Sequence, residues 1–223
     1  DGRIVLIYPL KGKVLVGTTD IDADPREPAV CTEEEVDYFF DLIHHVFPQI
    51  AVDRAQIVYR FAGIRPLPRH EDTAPGFVSR DYRIEVDREG SVPLVSLVGG
   101  KWTTFRALGE SLSGVVLDLL QRERTVSTVG RAIGGGEGYP RTDKARRLWI
   151  QENLPGAGAR AEILLARYGT RASAVWRFVE QGDDAPLADG QLSTRELQWM
   201  VENEFVARLQ DVLLRRTSIA FTG

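Results

Sequence analysis

Leu94 to Leu108, LVSLVGGKWTTFRAL, sets a lysine and two threonine hydroxyls directly behind a double glycine. A short apolar run (Leu94, Val95, Leu97, Val98) meets Gly99-Gly100; Lys101, Thr103 and Thr104 follow, and then a helical pattern begins. The order reads as strand, tight turn, helix start. Such a turn gathers unpaired backbone N–H groups and the positive end of a helix dipole at one point. Glycines let a second molecule approach the backbone closely. With Lys101 at the same point, the segment suits something electron-rich or anionic. A plain strand-to-helix turn reads equally well from the local pattern. It is not a P-loop, because the spaced glycine before the GK pair is missing and position 102 is Trp.

Two arginines share this setting. Arg65, in Gly63-Ile64-Arg65-Pro66, stands at the end of a β-rich run, and Arg80, in Ser79-Arg80-Asp81-Tyr82, stands in a turn between short strand patterns. A guanidinium stays charged and needs a polar partner. For Arg65 the choice is a salt bridge at a sheet end or an anionic ligand. For Arg80 it is Asp81 or a phosphate, which suits a bidentate fork. If Arg65, Arg80 and Lys101 converge, they make a pocket for a small anion. Gly17-Thr18-Thr19-Asp20 closes a strand pattern, with Asp20 read as capping a loop.

The elements that carry these groups follow from patterning. Arg3 to Pro9 and Lys13 to Thr18 read as a hairpin, and the acidic stretch Asp20 to Pro28 as a loop. Thr32 and Glu35 form a capping box before a helix with Val36, Phe39, Phe40, Ile43 and Phe47 on one face, stopped by Pro48. Ala55 to Ile64 reads as a strand, and Phe77 to Ser79 and Arg83 to Val86 as short strands. After the glycine turn, Leu108, Leu112, Val115 and Leu119 predict a helix with one buried stripe. Gln121 to Pro140 is poor in apolar residues and reads as a linker, its Gly134-Gly135-Gly136-Glu137-Gly138 run included, since that run neither follows a strand nor has dinucleotide spacing. Beyond it the pattern is helical: about Thr142 to Glu152, Ala159 to Tyr168, Arg171 to Glu180, and one long helix from Ser193 to Arg216. That last helix opens on a Ser193–Glu196 capping box and has Leu197, Met200, Val201, Phe205, Leu209 and Val212 as its apolar stripe.

The fold class is therefore α+β: a mixed or antiparallel sheet region with a terminal strand–helix over residues 1–120, a linker over 121–140, and a small all-α domain over 141–223. The 223 residues suffice for one large or two modest cores. A net charge of -4 gives no global pull toward nucleic acid, and the basic residues Arg141, Lys144, Arg146 and Arg147 come without aromatic platforms. Cys31 is the sole cysteine, so no internal disulfide forms, in keeping with a reducing compartment. No run has the roughly 18 apolar residues of a membrane span. His44-His45 and His70 lack the companions a metal site needs. A start at Asp1 directly before a strand pattern suggests a fragment without its natural N-terminal part.

Taken in order, YPLKGKVLVGTTD, FAGIRPL, SRDY, LVSLVGGKWTTFRAL and RELQWMVENEFVARLQDVLLRRT resemble the C-terminal portion of the FAD-dependent (aerobic) glycerol-3-phosphate dehydrogenases over nearly the whole chain. The resemblance implies FAD as cofactor, held mainly by an N-terminal GxGxxG unit this sequence lacks, and glycerol 3-phosphate as substrate. Arg65 and Lys101 would face the reacting carbon and its hydroxyl, Arg80 the phosphate, and Gly99, Gly100, Lys101, Trp102 and Thr103 the pyrimidine end of the flavin. It further implies a quinone as electron acceptor and a cytoplasmic protein peripheral to the inner face of the cell membrane, with a homodimer compatible. The fragment alone is expected to turn over little, and a general base, if a side chain, to lie in the missing half. Two alternatives stand beside it: a related FAD-dependent amine or hydroxy-acid oxidoreductase, and a helical module that docks a partner through the Leu197 to Val212 stripe.

Overall fold

Two adjacent residues with positive φ open the structure's first tight turn. Lys11 (φ 48°) and Gly12 (φ 79°) join β1 (Leu6–Leu10) to β2 (Lys13–Gly17), the backbone signature of a two-residue type I′ hairpin. The register pairs Leu6 with Gly17 and Leu10 with Lys13. The computed structural model describes residues 5–65 and 81–223. They divide into two compact units, one up to Val129 and one from Gly130 onward.

In the first unit, α1 (Glu33–Val46) begins on the expected capping box: the Thr32 hydroxyl accepts from the Glu35 N–H, and the Glu35 carboxylate accepts from the Thr32 N–H. Arg54 and Arg60 pair with Glu33, and Arg54 also with Asp37, all at exposed positions. β3 (Arg83–Glu89) and β4 (Val92–Val98) form the second antiparallel hairpin, turning at Gly90 (φ 63°). The architecture is α+β with antiparallel pairing, as the patterning predicts.

Two expectations fail here. Ala55 to Ile64 is not a strand. Asp53 and Gln56 cap each other across a 3₁₀ turn at Arg54–Gln56, and the extended residues after it find no ladder partner among the described residues. Apolar β-branched composition gives extension; a strand also needs an edge to pair with. Nor is the α2 stripe buried: α2 (Phe105–Leu119) has no buried residue, Leu108, Leu112 and Val115 are half-covered, and Leu119 is 37% exposed.

The second unit is helical, with α3 (Asp143–Asn153), α4 (Arg160–Tyr168), α5 (Ala172–Val179) and α6 (Thr194–Asn203), plus one two-residue ladder between β5 (Pro186–Leu187) and β6 (Leu192–Ser193). Leu164, Ala172, Val175 and Met200 are wholly buried at its centre. The glycine run packs rather than dangles: a Cβ on Gly135 would lie 1.9 Å from the Tyr168 carbonyl oxygen, and the Thr170 hydroxyl donates to the Gly135 and Glu137 carbonyls.

The long helix from Ser193 to Arg216 breaks. α6 stops at Asn203, Glu204 is extended, and the chain restarts as α7 (Leu209–Asp211), a π turn over Val212–Arg216 and α8 (Ile219–Thr222). The Asp211 carboxylate accepts from the N–H groups of Ala207 and Arg208 and so starts a new helix inside the old periodicity. The stripe divides accordingly. Met200 and Val212 are buried and Leu197 packs on them, while Val201, Phe205 and Leu209 are exposed.

The second capping box is half of one. Ser193 accepts from the Glu196 N–H, but the Glu196 side chain is engaged elsewhere. Only 1% exposed, it receives Arg160, Arg167 and the Tyr168 hydroxyl (3.0 Å). Arg160 also reaches Asp184 and Ser193. One buried carboxylate thus bolts α4 to α6. Burial, then the Glu196 charge, push the Tyr168 phenol above the ordinary tyrosine range.

Candidate functional site

The double glycine is required by its geometry. Gly99 (φ 78°) and Gly100 (φ 103°) both adopt backbone that side chains disfavour. A Cβ on Gly99 would sit 2.6 Å from the carbonyl oxygen of Asp81, so that residue's backbone already fills the space. The pair turns the chain out of β4 and delivers Lys101 in extended conformation as the cap of a 3₁₀ turn over Trp102–Thr104, which runs straight into α2. The Thr104 N–H and hydroxyl both donate to the Lys101 carbonyl (3.1 and 3.0 Å). Among the described residues no side chain caps this helix start. Lys101 and Thr103 are exposed, and Trp102 is 92% exposed. The result is an open patch carrying an ammonium, an uncapped helix beginning and a bare indole.

Tyr82 steadies it. The Ser111 hydroxyl donates to the Ala107 carbonyl, so at 3.0 Å the Tyr82 hydroxyl donates to Ser111 and ties the start of the β3–β4 hairpin to α2. Arg80 itself lies outside the described residues.

Arg65 has a protein partner. Its guanidinium lies 3.6 Å from the Asp20 carboxylate, with the side chains 46% and 34% exposed, an ion pair that lies at no sheet end among the described residues. Asp20 follows Thr19, whose hydroxyl donates to Glu35. The other Glu35 oxygen accepts from the Thr32 N–H at 2.9 Å. The segment read as simple turn chemistry is therefore held by α1 and holds Arg65. Sequence reasoning missed Thr19, Asp20 and Glu35 as a connected set. The signal available was an acidic residue closing one strand pattern and an arginine closing another. Arg65 and Lys101 belong to the same unit, and no hydrogen bond among the described residues ties one to the other.

The other titratable groups are quieter. His44 and His45 are exposed on the last turn of α1. Burial, with Glu35 nearby, pushes the Cys31 thiol up, away from reactive thiolate character. Among the described residues no group of His, Cys, Asp and Glu is arranged to hold a metal ion, and no helix is long and apolar enough to cross a membrane.

The donor set at Gly99–Thr103 fits the electron-rich end of a flavin through its positive charge, the exposed Lys101 ammonium beside a helix start.

Comparison with known proteins agrees with that fit. Residues 1–112 match the family described as FAD dependent oxidoreductase, and residues 126–223 the C-terminal domain of alpha-glycerophosphate oxidase. The chain is 32% identical to a glycerol-3-phosphate dehydrogenase of Pseudomonas tolaasii over 98% of its length and 44% of that protein's. It is 32% identical to the aerobic glycerol-3-phosphate dehydrogenase of Escherichia coli over 97% of its length and 44% of that protein's. A probable mitochondrial glycerol-3-phosphate dehydrogenase of Dictyostelium discoideum shares 30% identity, over 99% of this chain and 36% of the relative. The chain thus spans less than half the length of the curated relatives it matches. It belongs to the FAD-dependent oxidoreductase family, with a C-terminal domain of the alpha-glycerophosphate oxidase type.

Proposed function

We propose that this chain is the latter part of a flavoprotein that oxidises sn-glycerol 3-phosphate to dihydroxyacetone phosphate. The observation that carries the reading is the double-glycine turn presenting Lys101 and an uncapped helix start on an open surface. The names of the matched relatives supply the substrate. Bound FAD would supply the hydride acceptor. Lys101 and the helix start hold positive charge toward the flavin's pyrimidine end, with Gly99, Gly100, Trp102 and Thr103 along it. Arg65, with Lys101, faces the C2 hydroxyl and stabilises the negative charge that develops as its proton leaves. Arg80 binds the phosphate through a guanidinium fork. Electrons pass to a quinone, with the protein peripheral to the inner face of the cell membrane from the cytoplasmic side and a homodimer as an allowed assembly.

The test uses the full-length flavoprotein. Lys101→Ala should lower kcat by about 10²–10³-fold, the loss typical of one preorganised charge-stabilising donor, with flavin content measured alongside. Arg80→Ala should raise KM for glycerol 3-phosphate and leave a phosphate-free analogue untouched; equal effects on both would remove the phosphate role. The present chain alone should bind FAD weakly, and a stoichiometric yellow protein with flavin absorbance would contradict that expectation.

A further inference from the structure

The charged contacts of the first unit include one pair that does not fit a purely structural role. Arg54 and Arg60 sit on α1 carboxylates in exposed pairs that need no anchoring beyond the helix. Asp20 and Arg65 are different. They come from two irregular segments, neither in a ladder, yet the residue directly before Asp20 is tied by its side chain to a helix. Gly17 is buried at the end of β2, Thr19 donates to Glu35, and Glu35 spends its second oxygen on the Thr32 N–H as the third residue of a capped helix. The first turn of α1 therefore has two tasks: it caps itself and it fixes the segment carrying Asp20.

We infer that Asp20 is a positioning residue for Arg65, and that Thr19 and Glu35 hold it in that role. The inference rests on the reading that Arg65 faces the reacting hydroxyl. A guanidinium has five N–H donors in a rigid fork. A carboxylate on one side restricts the rotamers of the side chain and leaves other donors of the fork for a ligand. An arginine without that partner samples several rotamers, and its charge is misplaced for much of the time. The stability contribution of such a half-exposed pair is small. That separates the two roles, because a positioning residue alters turnover without altering the melt.

The experiment compares Arg65→Ala, Asp20→Asn, Asp20→Glu and the Asp20→Asn/Arg65→Ala double variant in the full-length flavoprotein. Flavin content, thermal midpoint, kcat and KM are measured for each. Asp20→Asn should lower kcat about tenfold with KM within about twofold, the coupling expected of residues in direct contact. Its flavin content and thermal midpoint should match the parent, and Asp20→Glu should recover most of the loss. In the Arg65→Ala background, Asp20→Asn should cost nothing further. A silent Asp20→Asn beside an impaired Arg65→Ala overturns this inference and leaves the role of Arg65 standing, as do losses that multiply in the double variant. A silent Arg65→Ala overturns the role of Arg65 itself, and the inference with it. If Asp20→Asn yields no folded flavoprotein, Thr19→Val decides. A kcat loss that disappears in the Arg65→Ala background supports the tether, and no loss overturns it.

Discussion

Up to Val129, only Cys31 and Val36 are buried apolar side chains among the described residues; from Gly130 onward there are twelve. The charges follow the same division. Glu33, Arg54 and Arg60 meet at the surface of the first unit, each side chain about half exposed or more, whereas Glu196 in the second is 1% exposed and takes two arginines and a tyrosine. The second unit thus contains its own core and its own internal lock. The first is two hairpins and two helices whose apolar faces stay partly bare, Leu94 at 55% and Val92 at 64% exposed among them. A two-stranded hairpin is marginal by itself. The unit holding the proposed chemistry is the less self-sufficient one, in line with a chain that spans less than half of its matched relatives.

The sharpest way to break this contrast is to remove matched carboxylates. Glu196→Ala leaves Arg160, Arg167 and Tyr168 without their shared acceptor and should cost about 3–5 kcal/mol, the penalty for stranding buried charge. Glu33→Ala, read by far-UV circular dichroism so that the first unit is reported too, should cost only a small fraction of that. Trp149, Trp176 and Trp199 lie in the second unit, so urea unfolding followed by tryptophan fluorescence reports it. Equal effects would show that the two networks are alike after all.

Apolar truncation probes the same difference one step down. Leu164→Ala opens a cavity at a fully buried site and should cost about 2–5 kcal/mol. Leu112→Ala on half-covered α2 should cost less than half of that in the isolated chain.

What the sequence discloses follows the same physics. The α1 capping box, the Lys11-Gly12 hairpin and the Gly99-Gly100 turn are legible because a local rule fixes each one: a hydroxyl three residues before a glutamate, or a conformation only glycine adopts easily. The failures are tertiary. Whether Ala55 to Ile64 becomes a strand depends on an edge elsewhere. Whether Leu108, Leu112 and Val115 are buried depends on what covers them. The Ser193–Glu196 box fails because Arg160 and Arg167, some 30 positions away, claim the glutamate. The tie from Glu35 through Thr19 and Asp20 to Arg65 is hidden for the same reason, since both of its side-chain contacts join residues distant in sequence.

Gly99→Ala tests the turn. Positive φ and the contact with the Asp81 carbonyl both oppose a Cβ, and the substitution should cost about 1–3 kcal/mol. Gly63→Ala, with no heavy atom of the described residues within 4 Å of where a Cβ would stand, should cost little. In the full-length flavoprotein Gly99→Ala should also lower flavin content, measured by absorbance after gel filtration.

Alkaline pH sharpens the contrast further. Burial and Glu196 raise the folded pKa of Tyr168 above its unfolded value. Its contribution is therefore fully present below the unfolded tyrosine pKa of about 10 and declines above it, as the unfolded chain loses a proton that the folded chain keeps. The melting temperature of the second unit should fall as pH rises beyond that point, and Tyr168→Phe should flatten the slope. Phenolate absorbance, compared between the parent and Tyr168→Phe, should show Tyr168 ionising above the ordinary tyrosine range, and a Tyr168 that ionises within that range would mean its surroundings are wet.

The smallest effect is the most diagnostic of the first unit. Gly109 lies inside α2, is exposed, and has no heavy atom of the described residues within 4 Å of where a Cβ would stand. A mid-helix glycine costs about 0.5–1 kcal/mol relative to alanine, so Gly109→Ala should stabilise the isolated chain by that amount if α2 is as open as it stands here. The same substitution in the full-length flavoprotein reads what covers the helix. A preserved gain means that side of α2 faces water in the complete protein. A gain turned into a loss means another segment packs closely on Gly109, and the bare face of α2 is then a contact surface of the first unit.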